Sequence, residues 1–317
     1  MAQTALIFPG QGSQQVGMGR DAADAYAQAR QVYEQADEAL GLSIAHLCFE
    51  GPEATLNDTV NTQPALFVTC LALLRAQEAE GLPSPAMVAG HSLGDLTALV
   101  AAGAMDLTDG LRLVVERGRL MKLAGERNPG SMAAVFKMED EEVARACQEA
   151  SSETGQPVQI ANTNAPGQVV ISGDKTALAR AIELLREQGA RRIVPLAVSI
   201  AAHSPLMASV VKEYRAAVDA TPLRLPTVPV VGNISARPML TVDEIRDELT
   251  GQLTCPVRWT ASVQWMAAQG VTRFVEVGPK DVLAKLVQRI APGIETVSAA
   301  ILNMTGRWRA LLENTAT

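Results

Sequence analysis

The chain lacks an excess of positive charge and any long apolar run. Its 27 lysines and arginines are outnumbered by 34 aspartates and glutamates, for a net charge of −7. A nucleic-acid-binding protein usually presents a strongly basic face, so this composition argues against that function. No run reaches the about 18–20 apolar residues that span a bilayer. No basic segment precedes the short apolar run at the N-terminus, which argues against a signal peptide. We therefore expect a cytoplasmic protein that binds neither membrane nor nucleic acid.

Cysteine is scarce, and its spacing excludes the common metal sites. The four cysteines form no CxxC pair, and only His46 lies near one of them. Two isolated ligands do not make a zinc site, so we predict no bound metal. We expect reduced and mostly buried thiols. They are Cys48, Cys70, Cys147 and Cys255.

What the chain does contain is an alternation of apolar strands and helices. Its 317 residues suffice for one large domain, or for one large and one small domain. Strands are predicted at 4–8 and 85–90. Helices are predicted at about 21–40, 63–80, 95–103 and 108–126. Pro64 is expected in the first turn of the second of these helices, where proline is tolerated.

The pattern changes at Asn128-Pro129-Gly130. The following order is strand, helix, strand, strand, helix, strand, which is the split β-α-β, ferredoxin-like arrangement. These elements are predicted at 131–137, 139–153, 157–162, 167–173, 174–188 and 191–198. The α/β pattern then resumes, with strands near 228–232 and 272–276 and helices near 206–220, 241–250 and 259–269. We therefore predict a discontinuous α/β domain of residues 1–128 and 200–317, with a small domain of residues 129–199 inserted.

A G-x-S-x-G motif, Gly90-His91-Ser92-Leu93-Gly94, lies between a predicted buried strand and a helix of small residues. A serine in a strained strand-to-helix turn exposes its hydroxyl above the sheet edge, and the flanking glycines let backbone pass close by. The N–H of Leu93 would then point toward a developing oxyanion. The pattern favours a nucleophilic Ser92 over a tight structural turn.

A nucleophilic serine needs a base, and the chain has only three histidines. His46 lies in an apolar stretch, which favours a position in the core or at its boundary. His91 is adjacent to Ser92, and on a sharp turn its side chain should point away from the hydroxyl. His203 follows the last strand of the small domain and precedes Ser204-Pro205. Elimination favours His203 as the base, against the alternative of a solvated loop histidine.

Two further features suggest groups that could hold a substrate. The loop 8–14, FPGQGSQ, is rich in glycine, so the backbone of Gln11 could approach a reacting carbonyl closely. It lacks the GK[ST] ending of a phosphate-binding loop. Arg117 lies on an otherwise apolar helix, and an inward guanidinium would match a substrate carboxylate. The residues alone favour instead a solvated arginine or one paired with Glu116 or Asp109.

Together these motifs resemble the malonyl-CoA:acyl-carrier-protein transacylase family. The resemblance covers about residues 4 to 290, in the same order and at similar spacing. It runs through FPGQGSQ (8–14), TQPALF (62–67), GHSLG (90–94), ERGRLM (116–121), ANTNAPGQVVISG (161–173), AHSPLM (202–207), GNISA (232–236), QLTCPVRW (252–259) and FVEVGP (274–279).

The resemblance implies an α/β-hydrolase-like core with a ferredoxin-like insertion. It implies that Ser92 carries the acyl group, that His203 is the general base and acid, and that the N–H groups of Gln11 and Leu93 form the oxyanion hole. Gln252 would orient the histidine through its backbone carbonyl, and Arg117 would bind the malonyl carboxylate. The resemblance also places Asn162, His91 and Met121 at the substrate site.

The implied reaction is a ping-pong transfer of malonyl from malonyl-CoA to the pantetheine thiol of an acyl carrier protein, with no cofactor. We expect a monomer with a local basic patch for the acidic carrier. Candidates for that patch are Arg191, Arg192, Lys280, Lys285 and Arg289.

Departures from the family pattern leave the pathway and the acyl group open. Asp95 stands where the family usually has Glu, and Leu96-Thr97 follow in place of an aromatic and a small residue. Ala202 precedes the histidine, and its small side chain leaves room for a 2-substituted malonyl group.

The alternatives to a transacylase are a serine hydrolase, a non-catalytic scaffold and a loading subunit of a decarboxylase complex.

Overall fold

The computed structural model describes residues 3–198 and 200–298, so the C-terminal tail lies outside the described residues. Within them the strands are β1 (Gln3–Phe8), β2 (Met87–Gly90), β3 (Gly130–Phe136), β4 (Val158–Ala165), β5 (Gln168–Asp174), β6 (Arg192–Pro195), β7 (Val230–Val231), β8 (Val271–Glu276) and β9 (Glu295–Ser298).

The helices of the same residues alternate with these strands. They are α1 (Arg20–Ala25), α2 (Ala27–Leu40), α3 (Ile44–Glu50), α4 (Glu53–Leu56), α5 (Thr59–Ala79), α6 (Gly94–Ala101), α7 (Leu107–Arg127), α8 (Asp140–Thr154), α9 (Lys175–Glu187), α10 (Ala208–Ala220), α11 (Val242–Gly251), α12 (Trp259–Ala268) and α13 (Val282–Ile290), with a 3₁₀ turn at Pro205–Met207. In the described part of the chain, no helix is both long and apolar enough to cross a membrane.

The strands form two separate sheets. The first has the order β7-β2-β1-β8-β9, and all of its neighbouring strands are parallel. The second has the order β4-β5-β3-β6, and all of its neighbours are antiparallel. A parallel sheet must be covered on both faces, which agrees with the buried, apolar sequences of β1 and β2. The predicted α/β class is therefore confirmed as a mixed fold with one parallel and one antiparallel sheet.

The second sheet is bonded through β4 to the segment that precedes α12. Val257 donates its backbone N–H to the carbonyl of Ala161 (2.8 Å), and Thr163 donates back to the carbonyl of Val257 (3.0 Å). On the other side of β4, Arg289 of α13 donates to the carbonyl of Pro166 (2.8 Å). These bonds fix the second sheet against the part of the chain that follows it.

Helix α5 lies in the centre of the larger core. It is buried on every side, including Leu66, Phe67 and Leu71, as expected for a helix enclosed by others. The neighbouring α7 approaches it closely, because a Cβ on Gly110 would lie 2.8 Å from the ring of Phe67. Replacing Leu71 by alanine would cost about 2–5 kcal/mol through lost burial and the cavity left behind.

Most predicted elements occur within a few residues of their expected bounds, and three differ. The helix expected at 21–40 is interrupted at Tyr26, whose backbone is extended, so it forms α1 and α2. Helix α5 begins at Thr59, four residues before the predicted start, and continues through Pro64. The strand expected at 191–198 is shorter, since β6 ends at Pro195.

Candidate active site

Ser92 lies in the turn between β2 and α6, in the strained conformation that its motif predicts. Its φ is +55°, a left-handed value that a serine rarely adopts. Neither of the two glycine positions of the motif has room for a side chain. A Cβ on Gly90 would lie 1.8 Å from the carbonyl carbon of Gly94, and a Cβ on Gly94 would lie 2.0 Å from the carbonyl oxygen of Phe8. The turn is therefore pressed against β1, and the Ser92 hydroxyl points into a cavity.

His203 lies against the hydroxyl of Ser92. Its Nε2 is 2.8 Å from the serine Oγ, and its Nδ1 is 2.6 Å from the backbone carbonyl of Gln252. A carbonyl oxygen can only accept, so Nδ1 carries the proton and Nε2 is left to accept from the serine. The loop of His203 is held from behind by Gln159, whose amide donates to the carbonyls of His203 (2.8 Å) and Thr254 (3.0 Å).

The electrostatics of the site keep His203 neutral. Burial of the ring, and secondly the nearby charge of Arg117, lower the pKa of His203 to about 3. A neutral imidazole bonded to a serine hydroxyl can take its proton. The arrangement is a Ser–His pair in which a carbonyl replaces the usual acid.

Arg117 is buried beside the same hydroxyl, contrary to the interpretation that the residues alone favoured. Its Nη2 donates to Ser92 Oγ (3.1 Å) and to the side-chain oxygen of Gln252 (2.8 Å), and its Nη1 donates to the side-chain oxygen of Gln63 (2.8 Å). Glu116 bonds to Arg119 instead of Arg117 (2.7 Å). Asp109, the other expected partner, pairs with Arg112 (3.5 Å). The physical reason is the closeness of α7 to α5, which turns position 117 inward.

The buried guanidinium of Arg117 has only neutral hydrogen-bond partners among residues 3–198 and 200–298. Burial lowers the pKa of Arg117 because the charged form loses its hydration. A buried cation without a bonded anion is costly, and a planar carboxylate satisfies it best. Arg117 therefore makes the cavity a suitable place for an acyl group that carries its own carboxylate.

Two backbone N–H groups beside the serine are available to a ligand. Within the described residues, the N–H groups of Gln11 and Leu93 donate to no other group, and both residues line the cavity. The loop of Gln11 lies directly against the turn, because a Cβ on Gly10 would be 2.5 Å from the carbonyl oxygen of His91. Free N–H groups next to a nucleophile are the donors that an oxyanion needs.

The cavity has a volume of about 130 Å³ and two kinds of wall. One wall is polar and includes Gln63, Ser92 and Arg117, while the other is apolar. The apolar residues that line the cavity are Leu93, Met121, Met132, Leu196, Val198, Ile200 and Ala202. Among the described residues, no group of three or more histidines, cysteines, aspartates or glutamates could hold a metal ion.

The remaining predicted residues lie where expected, except His46. Asn162 is buried on β4 and lines the cavity. His91 bonds through Nε2 to the side-chain oxygen of Asn164 (2.8 Å) and packs edge-on against Trp259, so it is not the base. His46 is exposed on α3, so its predicted core position is wrong. Its helix has an apolar composition, but only Ile44 and Cys48 are fully buried.

Sequence reasoning missed the buried amides around the serine. Asn233 accepts from the N–H of Ser92 (2.7 Å), and Gln63 and the side chain of Gln252 hold Arg117. The carboxyl group of Asp95 accepts hydrogen bonds from the side-chain amides of Asn233 and Gln252. Asn233 and Gln252 occur in motifs that carry the resemblance, GNISA and QLTCPVRW, and this was the available signal.

The chain is similar to known proteins over nearly its whole length. The family model described as "Acyl transferase domain" matches residues 5–309. The malonyl CoA-acyl carrier protein transacylase of Escherichia coli (strain K12) is 44% identical over 313 residues, which cover 99% of this chain and 100% of that protein. A crystal structure of the malonyl-CoA:acyl carrier protein transacylase from Xanthomonas oryzae has a TM-score of 0.93 and 41% identity, over 99% of this chain and 98% of that one.

A second similar structure contains a partner protein. It is a type II PKS acyl carrier protein in complex with its malonyl-transacylase, with a TM-score of 0.92 and 38% identity. The match covers 99% of this chain and 100% of that one. The similarity therefore covers nearly the whole chain, and the sequence identity is high enough to indicate a shared family and not only a shared fold.

Proposed function

Because the chain belongs to the acyl transferase domain family, and within it to the malonyl-CoA:acyl carrier protein transacylases, we propose that Ser92 carries the malonyl group as an ester. The enzyme takes this group from malonyl-CoA and passes it to the phosphopantetheine thiol of an acyl carrier protein. The observation that carries the proposal is the buried guanidinium of Arg117, 3.1 Å from the Ser92 hydroxyl.

The first half-reaction makes the ester. His203 Nε2 takes the proton of Ser92 as the serine oxygen attacks the thioester carbonyl. The oxyanion accepts hydrogen bonds from the N–H groups of Gln11 and Leu93. The carbon–sulfur bond then breaks, and the departing thiolate of coenzyme A takes the proton back from His203. Arg117 binds the malonyl carboxylate, which presents the carbonyl to the serine, and Asn162, His91 and Met121 line the space around the acyl chain.

The second half-reaction uses the same groups in reverse. The pantetheine thiol gives its proton to His203 and attacks the ester carbonyl, and Ser92 takes the proton as it leaves. Every proton and bond is accounted for by the two thioesters and the Ser–His pair, so this scheme includes no cofactor. The backbone carbonyl of Gln252 holds the imidazole in one tautomer throughout.

Arg117 also separates this proposal from a serine hydrolase. A hydrolase of plain acyl chains has no carboxylate to bind, and a buried arginine would only cost stability there. An enzyme that selects a dicarboxylic acyl group requires such a cation. The pathway served, fatty-acid or polyketide synthesis, follows from the carrier protein that is used.

We also propose that residues 129–199 form a ferredoxin-like domain inserted into an α/β-hydrolase-like domain of residues 1–128 and 200–317. The order β4-β5-β3-β6 with antiparallel neighbours supports the first assignment. A nucleophile directly after a central parallel strand supports the second.

Of the five cations predicted to meet the carrier, three have polar partners within the chain, and Arg192 lies over the ring of Phe136 (4.6 Å to its centroid). Lys285 pairs with Asp281 (2.8 Å), Arg289 donates to Pro166, and Lys280 donates to the carbonyl of Gln14 (2.9 Å). Arg191 and Arg192 are exposed at β6, so we propose these two as the first contacts for an acidic carrier. The monomeric state and the cytoplasmic location stay predictions.

The test is a transfer assay with malonyl-CoA and a carrier protein that bears phosphopantetheine. We expect one malonyl-carrier to form for each coenzyme A released, and none with Ser92→Ala. The same carrier without its phosphopantetheine is the control and should accept nothing. Release of coenzyme A and malonate without a loaded carrier would support the hydrolase, and no release at all would support a scaffold.

A further inference from the structure

A buried carboxylate lies behind the proposed site and takes no part in the mechanism above. Asp95 is the second residue of α6, three positions after Ser92, and its side chain is fully buried. Its carboxylate accepts from two side-chain amides, namely Asn233 Nδ2 (2.8 Å) and Gln252 Nε2 (2.6 Å). Within the described residues, it makes no ion pair within 4.0 Å.

These contacts fix the direction of both amides together with two backbone carbonyls. The carbonyl of Gly90 accepts from Asn233 Nδ2 (2.7 Å), and that of Ser92 accepts from Gln252 Nε2 (3.1 Å). An amide nitrogen can only donate and an amide oxygen can only accept, so a carboxylate at position 95 holds each nitrogen toward itself. The oxygens then face the other way. Asn233 Oδ1 accepts from the backbone N–H of Ser92 (2.7 Å), and Gln252 Oε1 accepts from Arg117 Nη2 (2.8 Å).

Burial raises the pKa of Asp95, whereas the amide donors at both of its oxygens favour the carboxylate form. In that form, the Gln252 amide links a buried anion to a buried cation without direct contact between them. A carboxylate bonded directly to Arg117 would occupy the guanidinium and compete with a substrate carboxylate. With one amide between the charges, Asp95 orients the partner of Arg117 and leaves part of the guanidinium for a ligand. The same Gln252 holds His203 through its backbone carbonyl.

We propose that Asp95 is a positioning residue for malonyl selection, because it holds the Gln252 side-chain oxygen on Arg117 and so keeps the guanidinium at Ser92. This inference rests on the proposed function, since it assumes that Arg117 binds the malonyl carboxylate. It assigns to Asp95 no contact with the substrate.

The test is Asp95→Asn, which keeps the size of the side chain. The new amide at this position bonds Asn233 through its oxygen and turns its own N–H toward Gln252. Gln252 Nε2 then faces a donor in place of an acceptor. If the amide turns to accept from that donor, it gives up its bond to the Ser92 carbonyl and points its own N–H at Arg117, where it repels the guanidinium. We expect the ratio of kcat/KM for malonyl-CoA to that for acetyl-CoA to fall by about 10- to 100-fold, the range of one charge-assisted hydrogen bond.

Two matched variants separate positioning from a structural role. Asp95→Glu keeps the carboxylate and should keep the ratio within about threefold, in line with retention of that hydrogen bond. Glu248→Gln alters another buried carboxylate nearby, which accepts from the backbone N–H groups of Asn233 and Ile234 (both 2.8 Å) and not from Gln252. It should lower the melting temperature and leave the ratio unchanged.

The outcomes are distinct. A ratio that is unchanged in Asp95→Asn overturns the proposal. A raised ratio also overturns it, because this is what removal of a distant negative charge alone would do. An equal fall in Glu248→Gln would show a structural role only. If wild type forms no malonyl ester at all, the proposed function fails. If wild type forms the ester and Asp95→Asn has the same ratio of kcat/KM values as wild type, only this inference is refuted.

A second variant keeps the inference testable if Asp95→Asn does not fold. Gln252→Met retains the backbone carbonyl at His203 and removes the amide, so the ratio should fall as in Asp95→Asn. A wild-type ratio in Gln252→Met overturns the proposal. Where both single variants fold, the double variant should show no further fall, since Asp95 acts through Gln252, and additive falls would contradict this.

Discussion

The two walls of the cavity at Ser92 differ in how they are held. The polar wall is fixed by hydrogen bonds, with Arg117 held by Gln63 and Gln252 and the turn of Ser92 held by Asn233. The opposite wall consists of apolar side chains on β3 and on the segment after β6, including Met132 and Val198. Within the described residues, the side chains of Met132 and Val198 make no hydrogen bond and are held by packing.

This difference assigns different tasks to the walls. Buried polar groups have few arrangements that satisfy every partner, so the polar wall can fix charge and direction. Apolar side chains tolerate changes of size at moderate cost, so the other wall sets shape. We therefore expect changes in the polar wall to alter rate and charge selectivity strongly. Changes in the apolar wall should alter the preferred acyl size by a smaller factor.

The largest effect is expected for His203→Ala, which removes the base. The rate of Ser92 acylation should fall on the order of 10⁴-fold or more, as when a serine loses its histidine in other enzymes. Rapid-quench measurement of the acyl-enzyme checks this. His46→Ala changes an exposed histidine and is the control. A loss of less than about 100-fold would mean that His203 is not the base, since base catalysis contributes at least this factor.

Arg117→Ala should give the next largest effect and should act on only one substrate. The kcat/KM for malonyl-CoA is expected to fall by about 10²- to 10³-fold, because a buried carboxylate loses its cation. The value for acetyl-CoA should change little. Arg119→Ala, on the same helix but paired with Glu116 at the surface, is the matched control. An equal fall for both substrates would refute the assignment of Arg117 to the carboxylate.

The pH dependence tests the electrostatics of the polar wall. Only neutral His203 accepts the proton, and a pKa of about 3 leaves the ring neutral at every pH above that value. The kcat/KM for malonyl-CoA should therefore show no inflection between about pH 5 and 8, the range in which an unperturbed histidine titrates. Removing Arg117 removes a positive charge, so the pKa of His203 should rise and the acid limb should move to higher pH. A wild-type inflection near the ordinary histidine pKa of about 6.5 would contradict this account.

The smallest effect is expected in the apolar wall. Met132→Ala enlarges the cavity without touching a polar group, so it should raise the preference for methylmalonyl-CoA over malonyl-CoA by about 10-fold, the scale of one methyl group in a pocket. Met138→Ala removes a similar buried side chain, which follows β3 and packs in a different core cluster away from the cavity, and is the control. An unchanged ratio in Met132→Ala would mean that this wall does not set acyl size.

The sequence was most informative where a local pattern has a steric cause. A Cβ at Gly90 or Gly94 would lie only 1.8 or 2.0 Å from neighbouring backbone, so this turn can form only with glycine at both positions. The glycines of the motif therefore predict the turn. Helices α3 and α4 were not predicted, because seven and four residues are too few to show a helical period. The prediction that Pro64 lies in the first turn of its helix is wrong, because α5 begins at Thr59 and Pro64 is its sixth residue. The proline has no N–H to donate to the carbonyl of Val60, and the helix continues without that bond.

The polar wall could not be predicted from local pattern. A buried arginine with amide partners and a solvated arginine look alike in sequence, so the residues alone favoured the wrong environment for Arg117. Its partners Gln63 and Gln252 lie 54 and 135 positions away, and only the fold brings them together. For the same reason Asp95 gave no sign of its role beyond its difference from the family pattern.

The central claim is that Ser92 carries a malonyl ester, and intact-protein mass after brief mixing with malonyl-CoA tests it most directly. We expect one malonyl adduct on wild type that maps to the peptide containing Ser92, no adduct on Ser92→Ala and a weaker one on Arg117→Ala. Addition of a carrier protein that bears phosphopantetheine should remove the adduct. A wild type that releases coenzyme A without any adduct, or an adduct that persists in Ser92→Ala, would contradict the account.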